Sequence, residues 1–233
     1  MAIDTNKNIL DIRKKDQYKT VEELFSKSYP GSIYYTLLFF SSLIIASGLL
    51  LNNAVILIGG MLVAPLLSPI LLIALGITVG DFRTIKDSLL LVFKSALIVI
   101  LVALVLAAFF SVRNDVTSAI LDDSIYAGIL YFIVALFSGA AATLAWTRKE
   151  VADILPGIAI TVSLLPPLGL TGIGISSLDI NMFRVSFLTF GFNLVGIVLG
   201  SLVVFSLLGF YKTKDVVAKE VKTQEEALEK SEK

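Results

Sequence analysis

The chain has 233 residues, in which 19 Lys and Arg balance 19 Asp and Glu, and hydrophobic residues make up 56% of the total. The mean hydropathy of +0.89 excludes an ordinary soluble domain, because too few polar residues remain to cover its surface. The chain has no His and no Cys, which excludes disulfide frameworks, zinc sites built on these residues and His-dependent catalysis. A zero net charge argues against nucleic acid as a partner. We therefore interpret the chain as an integral membrane protein whose first partner is the lipid bilayer, and we expect no cofactor.

The chain begins with a charged segment, 1–32, in which Thr20-Val-Glu-Glu23 forms a capping-box pattern. This pattern predicts a short amphipathic helix on the membrane surface. Six apolar stretches follow, each long enough at about 1.5 Å per residue to cross a hydrocarbon layer of about 30 Å. The predicted spans are 33–51, 54–79, 88–110, 125–145, 151–177 and 184–210. A charged tail, 211–233, is predicted to be helical.

The basic residues indicate the orientation of these spans. With six spans, sixteen Lys and Arg fall on the side of the two termini, and only Arg113 and Arg184 fall on the other side. Lys94 lies within the third span. Because cytoplasmic loops carry the excess of basic residues, both termini are expected in the cytoplasm.

A rival topology makes the proline-containing second and fifth spans re-entrant. It would move four basic residues to the outer side and weaken the charge bias. These residues are Arg83, Lys86, Arg148 and Lys149. Six full spans are therefore the better interpretation.

The sequence contains an internal repeat. Residues 60–69 align with 157–166 at an offset of 97, and one inserted residue later Asp81 aligns with Asp179 at an offset of 98. The match runs through the second and third spans of each half of the membrane portion. It predicts that two homologous units make up the apolar part of the chain.

The two predicted units are 33–122 and 123–210. Each unit has three spans, an odd number, so the second unit is expected to be inverted relative to the first. Inverted repeats of this kind recur in secondary transporters. The predicted fold is an all-α membrane protein of six transmembrane helices, arranged as two inverted three-helix repeats.

The second and fifth spans are predicted to be broken, because they carry most of the Pro and Gly residues. A proline inside a helix frees backbone carbonyls, which in hydrocarbon must face protein, water or a ligand. Two broken helices that cross near the midplane would bring partly charged helix ends together as an ion or solute site. The alternative is a structural role in kinking and close packing. The predicted pathway comprises Gly60, Pro65, Ser68, Pro69, Lys94, Ser95, Gly157, Thr161, Ser163, Pro166, Pro167 and Asn193.

The polar candidates each have a second interpretation. Lys94 either faces a cavity or extends to the membrane interface. Asn193, which aligns with Ser95, is expected to form a hydrogen bond between helices. Asp81 and Asp179 either cap the helices that follow or line a vestibule, and capping is favoured. No Asp, Glu or His lies near a span midpoint and no phosphate-binding loop occurs, which disfavours proton-coupled and ATP-driven pumps; no metal site is expected.

Two ordered motifs carry a family resemblance. The stretch 58–70, Ile-Gly-Gly-Met-Leu-Val-Ala-Pro-Leu-Leu-Ser-Pro-Ile, and the stretch 157–172, which contains Ser-Leu-Leu-Pro-Pro-Leu-Gly, resemble the DUF389 family of hydrophobic-domain membrane proteins. The resemblance covers about residues 33–210. It implies a prokaryotic inner-membrane protein of undetermined biochemical function, and it adds no substrate.

Two functional hypotheses follow. The first is a transporter or channel for a small anion or neutral solute, with its site where the second and fifth spans cross. The second is a membrane scaffold or sensor that acts through helix packing and its cytoplasmic tails. An enzyme is not expected, because no nucleophile–base pair is recognisable. Homo-oligomers are expected from the Gly76/Gly80 and Gly196/Gly200 faces.

Overall fold

The computed structural model describes residues 12–110, 125–148 and 156–231, and the side chains of 12–110, 128–148 and 164–228. Every regular element in these ranges is helical. The helices are α1 Lys14–Lys27, α2 Ser32–Leu50, α3 Ala54–Val63, α4 Leu67–Val79, α5 Phe82–Phe109, α6 Ile125–Thr147, α7 Pro156–Ser177, α8 Ile180–Leu207 and α9 Lys214–Ser231, with a 3-10 turn at Phe210–Thr213 before α9.

Four of these helices are long and apolar enough to cross a membrane, by length and composition: α2, α5, α6 and α8. The pair α3–α4 reaches this length together and is bent by 57° at its break. Within the described side chains of α7, the apolar run Leu164–Ser177 is shorter than a span. The described residues thus provide four or five candidate spans. The fifth predicted span, 151–177, stays a prediction.

The second predicted span is broken, as expected from its prolines. Helix α3 ends at Val63 and Ala64 adopts an extended conformation, with φ −71° and ψ 130°. Because the ring of Pro65 disfavours the helical conformation of the residue before it, the break falls at Ala64. Helix α4 then begins at Leu67 in a new direction.

The prediction of a broken fifth helix is wrong. Helix α7 continues through Pro166 and Pro167 without interruption. A proline ring is compatible with helical φ, and its cost of about 3 kcal/mol comes from a lost hydrogen bond and a steric clash. Leu164, Leu165 and Leu168 flank the two prolines and are at most 1% exposed. Burial of these leucines outweighs the cost of the prolines, so α7 remains helical.

The centre of the molecule is formed by α4 and α7. Residues 67–76 of α4 and 164–174 of α7 are buried without exception. A helix that is apolar on every side is stable only when other helices surround it. Helices α5 and α8 each pack against both central helices, while α6 packs against α7 and α8. The outer helices expose large apolar side chains, such as Phe93 and Leu101 on α5, as expected for contact with lipid.

The two chain ends meet at one end of the molecule. The amide of Gln17 donates to the carbonyl of Leu208 at 2.8 Å, and that of Gln224 donates to the carbonyl of Phe25 at 2.6 Å. A guanidinium nitrogen of Arg83, at the start of α5, lies 3.4 Å from a carboxylate oxygen of Glu225 on α9. Both terminal helices and the α4–α5 turn therefore share one end, which we call the tail end.

The N-terminal helix differs from its prediction in where it begins. Helix α1 begins at Lys14, ahead of the capping-box residue Thr20, whose hydroxyl instead donates to the carbonyl of Asp16. Val21 and Leu24 of α1 are fully buried, because α1 packs against α4 and α9. The favourable burial of this apolar stripe extends the helix beyond the capping signal.

Candidate functional site

The break between α3 and α4 opens a cavity of about 830 Å³, which we call the break cavity. The cavity is open on one side and is lined by residues from the α1–α2 connection, the first turns of α2, the end of α3, the start of α4 and the end of α6. The lining residues are Ser26, Lys27, Tyr29, Gly31, Ser32, Ile33, Tyr34, Leu37, Met61, Leu62, Val63, Ala64, Pro65, Leu67, Ser68 and Trp146. A volume of this size accommodates a small solute with its hydration water.

Among the described residues of this lining, Lys27 is the one that carries a charge, and none is an Asp or Glu. Its ammonium nitrogen lies 4.8 Å from the ring centroid of Trp146, within the range of a cation–π contact. The indole Nε1 of Trp146 is buried and has no hydrogen-bond partner in the part of the chain that the structure describes. The lining therefore combines one positive charge with the ring of an indole whose own Nε1 is inaccessible.

Ser68 is the predicted pathway residue that the structure places in this cavity together with Pro65. Ser68 is only 5% exposed, and among the described residues its hydroxyl makes no hydrogen bond. No side chain caps the start of α4, so the first-turn amides of Leu67 and Ser68 lack a capping acceptor. Pro69, the third residue of α4, has no amide hydrogen to satisfy.

The C-terminal end of α3 contributes a partial negative charge to the cavity, opposite in sign to the partial positive charge of the start of α4. Leu62 and Val63, the last residues of α3, line the same cavity as Leu67 and Ser68 at the start of α4. A helix end carries about half an elementary charge, positive at the N-terminus and negative at the C-terminus, so these two contributions largely cancel. Within the part of the lining that the structure describes, the net charge therefore comes from Lys27.

The cavity lies nearer the tail end than the predicted midplane. Its lining includes Ser32, Tyr34 and Leu37, all from the first two turns of α2, and Trp146 from the last turn of α6. The hydroxyls of Tyr34 and Ser95 are 2.9 Å apart in a buried hydrogen bond, which ties α2 to α5 beside the cavity.

Three further predicted residues lie away from the cavity lining. Gly60 is buried against Ile45 of α2, and its carbonyl accepts a hydrogen bond from Ser41 at 2.8 Å. Asn193 is 1% exposed inside the bundle, and Lys94 is exposed on the outer side of α5. The outward position of Lys94 favours its alternative role at the membrane interface.

The predicted residues of the fifth span are not brought to the cavity within the described side chains. Pro166 and Pro167 are buried in α7, which packs against α3 and touches α4 only slightly. The side chains of Gly157, Thr161 and Ser163 lie outside the described residues. A pathway role for these residues stays a prediction.

Asp81 and Asp179 act as helix caps. A carboxylate oxygen of Asp81 accepts from the amide of Thr84 at 2.8 Å and from its hydroxyl at 2.6 Å, and Asp179 accepts from the amide of Met182 at 2.9 Å. Since both carboxylates are used in this way, capping explains these residues without a vestibule. In the described part of the chain, no group of three or more acidic side chains is placed to hold a metal ion.

Sequence reasoning missed three residues of the cavity: Lys27, Tyr34 and Trp146. Each belongs to a different helix from Ser68, and no spacing along the chain connects them. Trp146, the only tryptophan of the chain, offered one signal, because it ends an apolar span. Its meeting with Lys27 depends on the tertiary packing of α1 near α6.

Comparisons with known proteins identify a family whose description assigns no function. The model of a family described as Domain of unknown function (DUF389) matches residues 61–199. An uncharacterised protein of Methanocaldococcus jannaschii is 29% identical over 122 residues, which are 52% of this chain and 37% of that protein. The chain thus covers less than two thirds of that relative's length. No solved structure matches the chain.

Proposed function

The chain belongs to the family described as Domain of unknown function (DUF389), and we propose that it is a multi-pass membrane protein that passes a small anion or neutral solute through the break cavity. The observation that carries this proposal is Ser68, a residue only 5% exposed whose hydroxyl has no partner among the described residues, in the lining of a cavity of about 830 Å³. In an apolar bundle, an unpaired hydroxyl beside an uncapped helix start costs free energy unless water or a solute satisfies it.

We further propose six spans, with both termini in the cytoplasm of a prokaryotic cell and the bundle in its inner membrane. The contact between Lys27 and Trp146 places the end of α6 at the tail end, and the bond from Gln17 to Leu208 places the end of α8 there. Because α4 also ends at the tail end, the chain returns there after its second, fourth and sixth apolar segments. This alternation supports six crossings, and the excess of basic residues at that end supports the cytoplasm.

An inverted repeat of 33–122 and 123–210 is the proposed origin of this arrangement. Helices α5 and α8 both contain 28 residues and begin at equivalent positions, after Asp81 and Asp179. The buried positions of the two helices also coincide at the offset of 98, as in the pairs Ser88/Ser186, Ser95/Asn193, Val99/Ile197 and Ala103/Ser201. Two helices that bury the same positions against equivalent neighbours are the expected result of duplication.

Single-cysteine labelling and solute flux together test the pathway. The chain has no cysteine, so Ser68→Cys introduces a single thiol into the cavity. We expect a membrane-impermeant thiol reagent to label this residue and to reduce the flux of small solutes from proteoliposomes. Ser42→Cys is the matched control, since Ser42 is 1% exposed, lies outside the cavity lining and bonds the carbonyl of Leu38. A folded Ser68→Cys protein that stays unlabelled from both sides would contradict a water-filled path.

The alternative function is a membrane scaffold or sensor. The observation that favours it is the folded tail end, where α1 and α9 pack together and present charged outer faces. In this case residues 211–233 would capture a partner protein while the reconstituted protein shows no solute flux. The two functions therefore give opposite results in the flux experiment.

A further inference from the structure

We propose that the break cavity binds a small monovalent anion, held by Lys27, Ser68 and the first-turn amides of α4, beside the ring of Trp146. This inference rests on the proposed function, because it names the substrate class of the same cavity. It narrows the choice between an anion and a neutral solute, and it is tested by binding rather than by transport.

The charges of the lining favour an anion. Lys27 is the one charged side chain among the lining residues, and it forms no salt bridge with an acid in the described ranges. The opposite partial charges of the ends of α3 and α4 largely cancel, so they leave the charge of Lys27 uncompensated. A cation would be repelled by this ammonium group, and a single positive charge matches a single negative one.

The hydrogen-bonding groups favour the same ligand. The ammonium group of Lys27 can only donate hydrogen bonds, and so can the amides of Leu67 and Ser68. Helix α4 has no side-chain cap, so these first-turn amides lack a capping acceptor. The hydroxyl of Ser68 donates as well, with no partner among the described residues. Donors that line one cavity together with a positive charge favour a ligand rich in acceptors, and an anion at a helix N-terminus is such a ligand.

The cavity contains its own optical reporter. Trp146 is the only tryptophan in the chain, so intrinsic tryptophan fluorescence reports on this cavity alone. Iodide is a monovalent anion that quenches indole fluorescence on contact, while acrylamide is a neutral quencher of the same ring. In purified protein at constant ionic strength, we expect iodide quenching to saturate and chloride to reverse it. Acrylamide quenching is expected to rise linearly and to be unaffected by chloride.

Substitutions assign the effect to the proposed ligands. Lys27→Gln is expected to raise the iodide concentration for half-saturation by about tenfold, because charge-assisted hydrogen bonds are about twice as strong as neutral ones. Ser68→Ala is expected to raise it by a smaller factor. Lys86→Gln, which removes an exposed charge of α5 outside the lining, is the matched control and should leave iodide quenching unchanged. Acrylamide quenching shows whether each variant keeps the fold around Trp146.

Two results would overturn the inference. One is linear iodide quenching that chloride does not reverse. The other is saturable quenching that is equal in the wild type and in Lys27→Gln, while acrylamide shows the fold to be intact. Failure of the proposed transport function would give a different result. Saturable iodide binding without any solute flux in proteoliposomes would support the anion site and contradict the pathway.

Discussion

The hydroxyl of Ser41 on α2 donates a hydrogen bond of 2.8 Å to the carbonyl of Gly60 on α3, one turn before α3 ends. Both residues are buried, and close to the helix end this carbonyl has few other donors. We expect Ser41→Ala to lower the free energy of unfolding by about 1–3 kcal/mol, the cost of a buried polar group left without its partner. Equilibrium unfolding in detergent measures this loss.

A second serine on the same helix provides the control. The hydroxyl of Ser47 donates to the carbonyl of Leu43 within α2, where that carbonyl already has its helical donor. Ser47→Ala should therefore change the free energy of unfolding by less than about 0.5 kcal/mol, as is usual for changes that leave no buried group unpaired. Equal losses in the two variants would show that the Ser41–Gly60 bond has no special role at the break.

The aspartate caps give a second prediction. Asp81 accepts two hydrogen bonds from Thr84, while the more exposed Asp179 accepts one from Met182. Loss of an N-cap side chain costs about 0.5–2 kcal/mol, so Asp81→Ala should lie at the upper end of this range and Asp179→Ala at the lower end. Thermal unfolding of the two variants in detergent tests this order.

The isosteric variant separates capping from charge. Asp81→Asn keeps the oxygen that accepts from the amide of Thr84, so it should recover most of the stability that Asp81→Ala loses. If Asp81→Asn is as unstable as Asp81→Ala, the negative charge of Asp81 matters rather than its capping bond. In that case a vestibule role for the carboxylate would again require consideration.

Features set by neighbouring residues were predictable from the sequence. The caps at Asp81 and Asp179 follow from an aspartate placed just before a long apolar run. The break at Ala64 follows from Pro65, whose ring acts on the residue next to it. In both cases the interaction spans no more than a few residues, so the sequence pattern contains all the information needed.

Features that depend on packing were not predictable. The same proline rule applied to Leu165 predicts a break in α7, yet burial of the flanking leucines keeps the helix intact. The cavity was missed for a similar reason, since Lys27, Ser68 and Trp146 come from three different helices. No pattern in one sequence reveals which ends of distant helices meet.

The contact between α6 and α8 gives a third prediction. A Cβ added at Gly200 would collide with the carbonyl oxygen of Leu136, and one added at Gly196 would lie 2.9 Å from the Cβ of Ala135. The Gly196/Gly200 face, expected to join two copies of the chain, is therefore occupied by α6 of the same chain. Gly200→Ala should lower the free energy of unfolding by about 1–3 kcal/mol through overpacking. Chemical unfolding in detergent measures this change.

Gly191 is the matched control on the same helix. A Cβ at Gly191 meets no atom within 4 Å. Gly191→Ala should leave stability unchanged or raise it by up to about 1 kcal/mol, because alanine is the better helix former. Similar losses in both variants would mean that close approach of α6 and α8 is not what requires glycine at position 200.

The contact of α1 with α9 at the tail end gives a prediction of pH dependence. Burial, followed by the nearby carboxylate of Glu22, raises the pKa of Glu220 above its ordinary value, while Lys219 partly opposes the shift. The folded state therefore binds the proton more tightly than the unfolded state does. Stability is gained as the pH falls through the raised pKa, and the penalty is fully present at neutral pH. Glu220→Gln should thus stabilise α9 by less than about 1 kcal/mol at neutral pH, because the carboxyl group is only partly buried and solvent screens its interactions.

Hydrogen exchange of the α9 amides, followed from neutral pH into mild acid after correction for the intrinsic exchange rate, measures this effect. In the wild type, protection of α9 should increase as the pH falls, and in Glu220→Gln this part of the increase should be absent. Glu226→Gln, an exposed change on the same helix, controls for the loss of one negative charge. If the two variants respond alike, the field of the whole acidic tail governs α9. If only Glu220→Gln loses the response, repulsion and burial at the α1–α9 contact govern it.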